Sequence, residues 1–150
     1  MMDYTAKAAI MVAADPNTCY EAFADPDRIT RFWFPRVSGP IEPDAHLTWH
    51  VGHADDAMGI DVDVVSARPG IGFDIRWGTG DAKTEVSWSF HEKGPLTEIR
   101  VTETGFQGDD ETRISKALDS TGGFNQVLVA AKALIEHGVD VNVVDSRAPN

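Results

Sequence analysis

Cysteine is almost absent: Cys19 is the only one in 150 residues. No internal disulfide can form, and no cysteine pair is available for a structural zinc. That usage fits a reducing compartment, so the chain is expected to be cytoplasmic. Basic residues are scarce as well, with 13 Lys and Arg against 24 Asp and Glu and a formal charge of −11. A surface of that sign repels phosphate backbones and anionic lipid heads, which argues against nucleic acid and membrane partners. No apolar run approaches the roughly eighteen residues of a membrane span. The stretch Ala8 to Ala14 is seven residues long and follows Asp3 rather than a basic cluster, unlike a secretory leader. There is no low-complexity tract, no long linker and no repeat beyond two Ala-Asp-Pro openings.

What is present reads as one compact domain. A globule of this length buries roughly 70% of the surface its unfolded chain exposes, enough for a real core and a modest cavity. Residues 1–138 are expected to form that domain, with 139–150 as a tail that adds a strand, docks on a neighbour or frays. Thr5 to Val12 predicts a strand with Ala8, Ile10 and Val12 on one face. Asp15-Pro16 and Asp25-Pro26 each combine a capping carboxylate with a proline suited to a first helical turn, predicting two short helices in series. Tyr20 and Phe23 face inward on the first; Ile29, Phe32 and Trp33 fall at helical spacing on the second, which Pro35 ends.

From Gly39 to Phe106 the period becomes two. Leu47, Trp49 and Val51 share a face, as do Ile60, Val62 and Val64, then Phe73, Ile75 and Trp77, then Val86, Trp88 and Phe90. The last triplet, Ile99, Val101 and Glu103, ends in a charge. About five antiparallel strands with one wet face are expected. After Gly108 the period is helical again: Phe124, Val127, Leu128, Ala131, Leu134 and Ile135 make an apolar stripe that Gly138 ends. A helix from about Ser120 to His137 runs roughly 27 Å, long enough to lie across such a sheet. The class is therefore α+β.

The segments Ala14-Asp15-Pro16, Tyr20-Glu21-Ala22-Phe23, Asp25-Pro26-Asp27-Arg28-Ile29 and Phe32-Trp33 resemble the opening of the SRPBCC or START-like superfamily, in the branch of heat-shock-protein ATPase activator homologues. Glu103-Thr104-Gly105-Phe106 and Gly123-Phe124, with Leu128 and Leu134, continue the likeness. It covers most of the chain and is densest in the first 35 residues. The resemblance implies a helix-grip fold, in which a curved antiparallel sheet wraps a long C-terminal helix and leaves a cavity between them. Where the family often has Gly-Trp at the start of that helix, Phe124 stands here, keeping an aromatic ring without an indole donor. The eukaryotic co-chaperone of the branch also uses a separate N-terminal domain that these 150 residues do not contain. Its chaperone role is not expected to carry over.

Trp33, Trp49, Trp77 and Trp88 are the most informative residues, since the alternation turns three of them toward the helix. They line an aromatic cavity for an apolar guest, or they fill a solid core against Val127, Ala130 and Ala131. Glu103 is in phase with Ile99 and Val101 and points the same way. A lone buried carboxylate is costly without donors or a cation. Glu103 therefore anchors a ligand hydroxyl or amine, acts as an acid or base, or sits wet at a rim or pairs with an arginine such as Arg113. His46, His50 and His53 suggest a metal only superficially, because four strand residues span roughly 13 Å, too far to share one ion. Asp55-Asp56 and Gly108-Asp109-Asp110-Glu111 lack calcium-loop spacing and read as solvated loop charges. Gly70-Ile71-Gly72 and Gly78-Thr79-Gly80 read as hairpin turns, and Cys19 as an inert buried thiol.

The expected function is binding of a small apolar or aromatic molecule, without a cofactor or metal, by Trp33, Trp49, Trp77, Trp88, Phe90, Glu103, Phe124 and Leu128. Such a protein holds rather than transforms, and no catalytic residue is assigned. The alternatives are a polyketide cyclase or dehydratase-like enzyme using a pocket acid or base, and a co-chaperone-like protein-interaction module. A homodimer through a sheet edge or the tail is compatible with any of these.

Overall fold

The computed structural model describes residues 3–148. Strand β1 (Ala6–Val12) leads into helix α1 (Pro16–Ala24) and the single-turn α2 (Pro26–Ile29). Asp15 caps α1 by accepting the Thr18 amide at 2.8 Å, and Asp25 caps α2 by accepting the Asp27 amide at 2.9 Å. Pro16 and Pro26 open the two helices, where a missing N–H costs nothing. The Thr18 amide and hydroxyl hold the Asp15 carboxyl below its ordinary pKa.

Six further strands follow: β2 (Arg36–Val37), β3 (His46–His50), β4 (Gly59–Arg68), β5 (Gly72–Gly78), β6 (Thr84–Lys93) and β7 (Leu96–Thr104). The two-residue β2 has no counterpart in the sequence reading, being too short to show a period. All pairings are antiparallel, in the order β1-β7-β6-β5-β4-β3-β2. Consecutive strands are neighbours except that β1 closes onto β7, where Ala6 opposes Glu103 and Ile10 opposes Ile99. A bulge between Val64 and Ser66 interrupts the β4 to β5 register and adds local twist.

Helix α3 (Asp110–His137) begins ten residues before the expected Ser120. Its first turns carry few apolar residues, so the stripe that marks the rest is missing there. Asp109 supplies the start signal instead, accepting the Thr112 amide at 2.8 Å, with Asp110 and Glu111 favourably placed in the first turn. The acidic stretch read as a loop is thus a helix start. At 28 residues α3 is about 42 Å long. Gly138, at φ 65°, ends it in the left-handed conformation that glycine adopts without strain.

Two contacts tie the end of α3 to the end of β1: Lys132 donates to the Met11 carbonyl at 2.7 Å, and Glu136 accepts the Ala13 amide at 2.9 Å. A curved antiparallel sheet gripping a long C-terminal helix is the helix-grip architecture. Beyond α3, helix α4 (Val143–Ser146) seats Val143 and Val144 against the core, and the Val143 amide donates to the Phe32 carbonyl at 3.1 Å. Of the tail 139–150, residues 149 and 150 lie outside the described residues.

Candidate functional site

The alternating strand residues meet the helix stripe from the concave side. Trp49, Val62, Phe73, Ile75, Val86, Trp88, Phe90, Ile99 and Val101 are all buried. Trp88 stacks on Phe73 with ring centres 4.5 Å apart, and Phe90 meets Tyr20 edge-on at 5.6 Å. Leu128 from α3 is buried in the same core. Trp49, Trp88, Phe90 and Leu128 therefore belong to closely packed interior, where large sheet rings face small helix residues such as Ala130 and Ala131.

The other aromatic candidates border open space. Trp33 is placed by its amide bond to the Ile29 carbonyl at 2.9 Å, directly after α2. Its ring touches Phe34, Trp49, Trp77, Trp88 and Phe124 at centre distances between 5.0 and 6.2 Å. Trp77, at the end of β5, stacks on Phe124 from α3 at 5.8 Å and 22°. Trp33, Phe34, Trp77, Phe124, Val127 and the tail residues Val143 and Val144 border a cavity of about 300 Å³. Asp119, Ser120 and Arg147 form its polar edge, with Arg147 paired to Asp119.

Glu103 is held at the indole nitrogen of Trp77 and is 3% exposed. The carboxylate is not at a wet rim. Its Oε2 accepts the Trp77 indole N–H at 2.9 Å and the Thr84 hydroxyl, while Oε1 is buried without a hydrogen-bond partner among the described residues. Arg113 donates to Asp110 at 2.9 Å and lies over the Tyr4 ring. A smaller recess of about 220 Å³ is bordered by Trp77, Thr84 and Glu103. It shares Trp77, Asp119 and Ser120 with the larger cavity.

The sequence profile of the family described as activator of Hsp90 ATPase homolog 1-like protein matches residues 13–136. The chain belongs to that family. Among curated proteins none matches this family member in sequence. Solved structures share its fold. DynU16, a protein of the dynemicin biosynthetic locus, is 22% identical with a TM-score of 0.78 over 93% of this chain, which spans about half (49%) of DynU16. SSP2350 from Staphylococcus saprophyticus is 24% identical, with a TM-score of 0.73 over 91% of this chain and 95% of its own. The Aha1 dimer from Colwellia psychrerythraea is 17% identical, with a TM-score of 0.73 over 92% of this chain and 98% of its own.

Elsewhere in this Hsp90-activator-homologue domain the titratable groups have local roles. His46 pairs with Asp63 at 2.7 Å, His50 with the Ala57 carbonyl at 3.2 Å, and His53 with Asp145 at 3.3 Å. No three His, Cys, Asp or Glu side chains are grouped as metal ligands among the described residues. Among them, no helix is long and apolar enough to cross a membrane. Cys19 is fully buried, and desolvation pushes its thiol up to about 11. Such a thiol is a poor nucleophile at neutral pH.

Several bordering residues escaped the sequence reading. Thr84 is in phase with Val86, Trp88 and Phe90, so the alternation alone turns it inward. Phe34 carried no such signal, because it follows Trp33 directly and both are buried in a non-repetitive segment.

Proposed function

We propose that this chain binds a small apolar or aromatic molecule in the cavity bordered by Trp33, Trp77, Phe124 and Val127 and walled on one side by the tail. The single observation that carries this reading is about 300 Å³ of space beside an otherwise densely packed aromatic core. An apolar cavity of about 150 Å³ holds a benzene, so this one suits a guest of two or three rings. Burying about 200–250 Å² of such a guest at about 25 cal/mol/Å² contributes roughly 5–6 kcal/mol, matching affinities near 100 µM.

Titration with naphthalene, followed by tryptophan fluorescence, tests the reading, because Trp33 and Trp77 are both at the cavity wall. Saturable quenching in the micromolar range is expected. No spectral change up to the solubility limit, together with no small molecule retained in a native mass spectrum, would sink it.

The buried Glu103 supports a second reading, an enzyme of the cyclase or dehydratase kind in which a pocket acid or base moves a proton on an aromatic precursor. DynU16 belongs to a biosynthetic locus, which is in keeping with it. Retained binding with turnover abolished in Glu103→Gln favours the enzyme; the absence of turnover in the unmodified protein favours the carrier. The dimeric state of the Colwellia protein makes a homodimer the assembly to look for by light scattering.

A further inference from the structure

We infer that Glu103 is the specificity-determining residue of this site and that its guests are aromatic molecules bearing an O–H or N–H donor rather than plain hydrocarbons. The inference rests on the binding reading above and adds the polarity of the guest. An ionised carboxylate is an acceptor only, with about four lone-pair positions on two oxygens. Both intramolecular donors, the Trp77 indole and the Thr84 hydroxyl, go to Oε2. Oε1 receives none among the described residues, although it is shielded from solvent. Buried acceptors in folded proteins are satisfied in the great majority of cases, and this one, unlike the equally unpartnered Trp88 indole in the solid core, belongs to a residue that borders a recess.

The recess has the position to deliver one. Glu103 borders it, and Trp77, Asp119 and Ser120 are common to the recess and the larger apolar cavity. A guest with its rings against Phe124 and a substituent directed along Ser120 and the edge of Trp77, which border both spaces, brings a donor toward the carboxylate. Lys116 also borders the recess, but its ammonium engages the Gln107 carbonyl at 3.1 Å. A hydrocarbon guest leaves Oε1 unsatisfied and is discriminated against, as is a guest offering only an acceptor.

The arrangement makes a sharp prediction for Glu103→Gln. Because Trp77 and Thr84 both donate, the glutamine carbonyl takes the place of Oε2 and its NH₂ takes the place of Oε1. The subsite changes from acceptor to donor without changing shape. The test uses the full chain and three matched probes, naphthalene, 2-naphthol and 2-methoxynaphthalene, titrated by tryptophan fluorescence.

The expected result for the unmodified protein is 2-naphthol binding about tenfold or more tighter than the other two, as pairing an otherwise unsatisfied buried acceptor provides. In Glu103→Gln the naphthol preference over the ether is expected to vanish. Equal affinity for naphthalene and 2-naphthol in the unmodified protein, or an unchanged preference in the variant, overturns the inference and leaves the carrier reading standing. Failure of all three probes to bind overturns the carrier reading and this inference with it. A measurement independent of the variant is the ¹³C signal of the Glu103 side-chain carboxyl. It should move on saturation with 2-naphthol and stay in place with naphthalene, and the reverse result counts against the inference.

Discussion

Phe124→Ala probes the cavity more directly than any other single change. Phe124 is 3% exposed, lies nearly parallel to Trp77 at 5.8 Å and meets Trp88 edge-on at 5.8 Å. Truncating a buried phenylalanine costs about 3–5 kcal/mol, partly from lost transfer energy and partly from the void left behind. The two parts separate here. A void opened at Phe124 merges with about 300 Å³ of existing space, so little new empty volume is enclosed. The expected loss is therefore about 3 kcal/mol, a drop of roughly 6–12 °C in Tm for a chain of this size.

Phe90→Ala is the matched control. Phe90 is 4% exposed, surrounded by Tyr20, Phe23 and Phe73, and borders neither the cavity nor the recess at Trp77. There the cavity penalty applies in full, and the loss should approach about 5 kcal/mol. Urea denaturation followed by far-ultraviolet circular dichroism gives both values. A Phe124→Ala loss equal to or larger than that of Phe90→Ala would refute the reasoning, because it would mean that the Phe124 ring closes a solid core. Toluene at ten times its Kd should restore about 1.4 kcal/mol to Phe124→Ala.

Two further outcomes follow from particular residues. The Cys19 thiol is raised from 9.0 to about 11, so the folded state keeps a proton that the unfolded chain loses. Its contribution is fully present below pH 9 and declines as pH rises toward 11. At pH 10 the loss is about 1.4 kcal/mol. Urea melts at pH 8 and pH 10 should show a drop smaller by that amount in Cys19→Ala, and an identical drop would contradict it. At Gly72, paired with Ser89, an added Cβ would press into the Trp88 carbonyl oxygen, which is backbone and cannot give way. Gly72→Ala should cost about 2 kcal/mol or more by thermal melting, and a neutral result would show that β5 and β6 can separate there.

Much of the fold was legible along the chain. The Asp-Pro pairs marked both short helices because a capping carboxylate and a proline act within one turn. The inward faces of five strands and the apolar stripe of α3 appeared as periods of two and of three or four. These are local features, set by backbone geometry and by the side each residue presents to water. The start of α3 was misplaced for the same reason. A helix that begins on polar residues shows no stripe, and only the cap at Asp109 gives it away. The inward direction of Glu103 was readable from its phase with Ile99 and Val101. Its partners were not, since Trp77 and Thr84 reach it from β5 and β6.

Division of the aromatic residues between solid core and cavity wall required the folded molecule. Trp88 and Trp77 follow the same alternating pattern, yet Trp88 stacks on Phe73 and Trp77 borders two open spaces. The difference comes from where α3 crosses the curved sheet and from the docking of Val143 on the Phe32 carbonyl. Neither is encoded in any one window of residues. Periodicity tells which way a side chain faces, whereas empty volume is what remains after distant elements have packed, and it is fixed only by all of them together.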